Sequence, residues 1–211
     1  MKKTILMICI VLSYGIATAQ SNYQKGMMKG MEMLKLAKTF DDFVNVSNHF
    51  ERIASVEKGE WLPVYWNAYV SLIGGMNAEK EKQQDEMYDK ALALLETIES
   101  ASADQSELLT LKAYITLMKI SVSPMTRAPQ GTPAAMKMLA EAQKINPSNP
   151  RPFFVQGQNT FYTPTFFGGG KEIAKPILTK AVDLYSQEKS SDAFMPRWGK
   201  GRAEMLLKEC N

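Results

Sequence analysis

Residues 135–150 read AMKMLAEAQKINPSNP, and their spacing decides the fold class. Ala135, Leu139 and Ala142 recur after four and then three residues, the period of one helix face. Asn146-Pro147-Ser148-Asn149-Pro150 then stops the helix, because proline lacks the N–H that a helix uses and restrains the residue before it. A large residue followed three places later by a small one also has a packing meaning. The small side chain lets a second helix come close, and the large one fills the groove beside it.

The same pairing recurs outward in both directions. Leu178-x2-Ala181, Tyr88-x2-Ala91 and Phe50-x2-Ile53 each repeat it, with the large residues 38, 51 and 39 positions apart along the chain. Other faces follow the same period: Met27, Met31 and Leu34; Phe43, Val46 and Phe50; Leu108, Leu111, Ile115 and Met118; Ile173, Ile177 and Leu184. No segment after residue 20 reads as a strand. Thr39 with Asp42 three places on marks a helix start, and Pro63 suits the first turn of a helix ending near Gly74-Gly75. Ser121 to Pro133, with three prolines and a glycine, predicts a long connection. Thr163 to Gly170 predicts a second irregular segment, and Pro196 predicts the start of the last helix. The result is four helix pairs, at about 23–57, 62–99, 105–145 and 150–188, and a closing helix over 194–209.

With these positions in place, the chain resembles the tetratricopeptide repeat family. Trp66-x2-Tyr69-Val70-x2-Ile73 has that family's first-helix spacing, with valine in the small position. Ala135-x3-Leu139-x2-Ala142-x4-Pro147 has its second-helix spacing. Phe153 and Gly157, followed by Ala174-x3-Leu178-x2-Ala181, repeat the two halves around a longer loop. The resemblance implies an all-α, right-handed α-solenoid of about four antiparallel helix pairs, TPR-like, with a C-terminal capping helix in which Trp198, Met205, Leu206 and Leu207 cover the open end. It also implies that such a protein works by binding, since one helix pair cannot bury its own apolar face and stacked pairs leave an extended concave surface.

The first twenty residues are a different matter. Lys2 and Lys3 precede the uncharged, mostly apolar run Thr4–Ile16, and Ala17-Thr18-Ala19 is a small-x-small cleavage pattern. We read 1–19 as a signal peptide and 20–211 as a single helical-repeat domain, exported to the periplasm or secreted from a bacterium. Cleavage removes two lysines, leaving 23 basic residues against 22 acidic ones. That balance gives no attraction to nucleic acid. Cys9 leaves with the signal, so Cys210 has no internal disulfide partner and reads as a mobile terminal thiol.

Few residues suggest chemistry. His49 is the one histidine and has no partner for a zinc site or a catalytic triad. Carboxylates are scattered, and Glu79 to Lys90 reads as a solvated face with helical ion pairs. We therefore expect no catalytic, cofactor or metal residue. The most distinctive segment is Phe161-Tyr162-Thr163-Pro164-Thr165-Phe166-Phe167-Gly168-Gly169-Gly170-Lys171. It can present glycine N–H groups and Lys171 to an anion at a helix start, or serve as a wide turn with Phe166 and Phe167 tucked against the stack. Helical phase places Tyr65, Asn67, Lys112, Gln156, Asn159 and Tyr162 on the concave face. With Phe166, Phe167 and Lys171 they form the expected partner-binding set. The first expected function is an envelope binding or scaffold protein engaging a peptide or protein partner. The alternative is a small-ligand-binding accessory for solute uptake, with the aromatic residues of 61–69 and 161–167 enclosing a pocket. A carboxylate-dependent hydrolase is the remote third.

Overall fold

A computed structural model describes residues 22–98, 103–189 and 192–211. The proposed signal peptide lies outside them. The described residues form nine α-helices and no strand. They are α1 (22–36), α2 (Phe40–Val56), α3 (Trp61–Asn77), α4 (Glu81–Glu96), α5 (Gln105–Val122), α6 (Pro124–Ile145), α7 (Pro150–Tyr162), α8 (Lys171–Gln187) and α9 (Lys200–Glu209). A 3-10 turn at Thr165–Phe167 interrupts the connection from α7 to α8.

From α2 onward each helix packs on the next, and α3, α5, α7 and α9 also touch in succession. His49 joins α2 to α1 through a 2.9 Å hydrogen bond between Nε2 and the Gly26 carbonyl. The small and large positions named from the sequence meet in the core. Ala135, Leu139, Ala142, Ala174, Leu178 and Ala181 are all buried. A Cβ on Gly157 would come within 2.7 Å of Leu178, so α7 and α8 approach at a distance only glycine allows. Helix α3 is buried around most of its circumference, and its aromatic residues form the centre of the molecule. The expected start of α2 is a full capping box. Thr39 Oγ1 accepts from the Asp42 N–H, and the Asp42 carboxylate accepts from the Thr39 N–H at 2.9 Å.

Several expectations need correcting. Residues 124–133 are helical, although Pro129 and Pro133 each remove a backbone donor. Arg127 holds this segment against its neighbours, reaching both carboxylate oxygens of Asp85 at 2.6 and 2.8 Å and the Lys119 carbonyl at 2.8 Å. Gly131 lets α6 lie directly on Ile120 of α5. The last helix begins at Lys200, beyond Pro196, because residues 194–198 are pinned into the core and Gly199 turns the chain at φ 100°. Cys210 is buried rather than mobile, and Met205 is exposed while its neighbour Leu206 is fully covered. Of the charged face on α4, only Lys82–Glu86 is an ion pair within the helix; Asp85, Asp89 and Lys90 pair across to other helices.

Candidate functional site

The interior polar network comes first, because it accounts for two of the expected binding residues. Trp198 donates from Nε1 to the Tyr65 hydroxyl at 2.9 Å, and that hydroxyl donates to Glu107 Oε2 at 3.0 Å. Glu107 Oε1 accepts from Asn149 Nδ2 at 2.8 Å and from Arg151 Nε at 2.7 Å. Arg151 Nη2 reaches Glu188 at 2.6 Å. The indole of Trp198 stacks on Tyr69 and on Tyr114, and the edge of Phe154 closes the cluster. Burial raises the Glu107 carboxyl above the ordinary carboxylate value, opposed by the Arg151 charge beside it. For Arg151, burial works against the charge, yet Glu107 and Glu188 outweigh it and the net shift is upward. Tyr65 is therefore a fully enclosed strut, not a groove residue. Asn67 is equally buried, accepting from Ser47 Oγ at 2.6 Å. The expectation that both face a partner fails, because α3 is covered on nearly every side.

The other expected residues separate into two groups. Lys112 pairs with Glu96 at 3.7 Å, Gln156 accepts from Gln143 at 2.7 Å, and the Asn159 carbonyl caps Thr163. The side chains of Lys112 and Gln156 are thus engaged in structural contacts, and Asn159 contributes its backbone carbonyl to one. Tyr162, Phe166, Phe167 and Lys171 instead gather at one corner, where α7 ends and α8 begins. The 3-10 turn there is closed by Phe167 N–H to the Pro164 carbonyl at 2.9 Å and by Gly170 N–H to the Thr160 carbonyl at 2.8 Å. Gly168 and Gly170 have positive φ, and a side chain on Gly169 would strike the Thr163 carbonyl. The glycines are thus spent on folding the turn back tightly, which pushes its two aromatic residues outward. Phe166 is 90% exposed, Phe167 74% and Tyr162 58%, so the phenylalanines are not tucked against the helices.

Positive charge flanks this corner. Lys171 Nζ lies 5.5 Å from the centroid of the Phe161 ring, and Arg202 lies 5.8 Å from that of Tyr162. The two rings are 5.0 Å apart, edge to face. Arg202 also donates to the Tyr162 hydroxyl and lies 3.5 Å from the Met205 sulfur. Ile173 and Met205 extend the exposed apolar surface. No local pattern in the sequence could have joined Arg202 to Tyr162, forty residues earlier.

A cavity of about 410 Å³ lies at the opposite end of α7, between Asp104, Asn146, Arg151, Glu188 and Lys189. Its acids Asp104, Glu107 and Glu188 outnumber Arg151 and Lys189, and Arg151 Nη1 is sealed from solvent without a hydrogen-bond partner. None of its lining residues belongs to the aromatic corner or to residues 61–69.

Fold and corner together define a class: an all-helical chain with an aromatic core and an exposed aromatic turn beside two cations. The HusA haemophore from Porphyromonas gingivalis has a similar fold. Its solved structure is 31% identical to this chain, the match covers 90% of this chain and 92% of that one, and the TM-score is 0.80. The chain belongs to the family of that haemophore, a binding protein rather than an enzyme. No family model and no curated protein matches it, so the tetratricopeptide likeness is one of spacing.

Proposed function

We propose that the protein is an exported carrier of a small, flat, largely apolar ligand, with haem the first choice, held at the corner of Tyr162, Phe166 and Phe167. The observation that carries this reading is the exposure of two adjacent phenylalanines at the tip of a turn that is itself hydrogen-bonded into place. Large apolar side chains so displayed lose the benefit of burial until a ligand covers them. A planar macrocycle offers the aromatic faces that Phe166, Phe167 and Tyr162 can stack on, and the related haemophore supports haem over other flat ligands. The small-ligand reading is accordingly favoured over a peptide partner.

The architecture that supports the corner we read as a right-handed solenoid of antiparallel pairs, α1–α2, α3–α4, α5–α6 and α7–α8, closed by α9. The successive contacts among α3, α5, α7 and α9 favour it. In this reading residues 20–211 are the mature domain, released after cleavage behind Ala19. Among the described residues no helix is long and apolar enough to cross a membrane.

The test is titration of the purified mature protein with haemin, followed by absorbance in the Soret region. Phe166→Ala with Phe167→Ala should weaken binding at least about tenfold while leaving helicity and Tm unchanged, since neither side chain is in the core. Undiminished binding by the double variant would remove the corner from the site.

A further inference from the structure

We infer that Lys171 and Arg202 are a pair of carboxylate-reading residues, so that the corner selects flat ligands carrying free acid groups along one edge. The inference rests on the reading of the corner as the ligand site and adds what the ligand must carry.

Neither cation has an ion-pair partner among the described residues, so both charges are free to meet a ligand. Each lies near one ring of the Phe161–Tyr162 pair. The two charges thus stand beside one pair of contacting rings. Arg202 is further oriented by its bond to the Tyr162 hydroxyl and its contact with Met205. That engagement uses part of the guanidinium and leaves other N–H groups to donate. A guanidinium held in one orientation suits a carboxylate, which can accept two of its N–H groups together. Lys171 projects from the first turn of α8 as a separate point charge. Two cations beside one aromatic pair match a ligand with an apolar face and two acidic groups at its rim. The acids of the cavity at the far end of α7 give the opposite electrostatic setting, which makes this corner the better place for such a ligand.

The experiment compares haemin with haemin dimethyl ester on the mature protein at low and high salt. The ester keeps the ring and the iron and loses both charges. The wild type should bind haemin about tenfold or more tightly than the ester, the size of one charge-assisted hydrogen bond. The preference should shrink with added salt. It should collapse toward equality in Lys171→Gln/Arg202→Gln. Lys82→Gln, which removes an exposed charge on α4 away from the corner, should retain it. Equal binding of the two ligands by the wild type, or a preference that survives in the double variant, overturns the carboxylate reading and leaves the corner as the site. Failure of both ligands to bind overturns the proposed function itself, and this inference with it.

Discussion

Arg151 is 5% exposed and carries a full charge, a combination that costs several kcal/mol unless partners replace the lost water. Glu107 and Glu188 supply them, and Asn149 and Tyr65 occupy the remaining acceptor sites of Glu107. Removing one member strands the other in the core. Arg151→Met should therefore lower unfolding free energy by about 3–5 kcal/mol, read from urea denaturation. Adding Glu107→Gln to it should recover part of that loss; if the double variant is less stable than Arg151→Met alone, the stranded charge is not the cause. Glu107 was legible as an anomaly in the sequence. It shares a helical face with Thr110, Leu111 and Tyr114, all buried, so a carboxylate stood on an apolar stripe. Arg151 likewise falls in register with Phe154, Val155 and Gln158. Asn67 and Tyr65 were misplaced for the converse reason: periodicity identifies one buried face, and α3 has more than one.

Among the helices, α6 shows best how tertiary contact overrides local preference. Its prolines predict a loop, and Arg127 with Gly131 makes it a helix by fastening it to α4 and α5. The two nitrogens of Arg127 on Asp85 hold that carboxyl below the ordinary carboxylate range, first through the hydrogen bonds and then through the charges of Arg127 and Lys119. A depressed pKa stabilises the fold above the ordinary value of 3.8 and ceases to do so as pH falls through the lower, folded-state value. Urea midpoints should accordingly drop between pH 5 and pH 3, with Asp85 contributing up to about 1 kcal/mol because the pair is partly exposed. In Asp85→Asn this share of the acid sensitivity should vanish; an identical pH slope in the variant would show that the pair contributes nothing. Elements whose local and tertiary signals agree, such as α2 behind Thr39 and α7 behind Asn149, were readable to within a residue or two.

At the scale of the molecule, Trp198 joins parts of the chain far apart in sequence. It bonds to Tyr65 of α3, stacks on Tyr69 and Tyr114, meets Phe154 of α7, and its carbonyl accepts from Tyr185 of α8 at 2.9 Å. The end of the chain therefore completes the centre of the fold. Trp198→Ala should cost about 3–5 kcal/mol and lower Tm substantially; a loss below about 1 kcal/mol would mean the surrounding rings close the gap unaided. The sequence placed Trp198 at an open end, because alternation of helices is a local signal and return of the terminus to the middle is not. The turn from Thr163 to Gly170 stands apart from this dependence. Its backbone bonds run to Pro164, Thr165 and Thr160, all within the turn or at the end of the helix that delivers it. Substitutions at the tip of the loop can thus change the proposed ligand contact without disturbing how the chain folds, so recognition there is separable from folding stability.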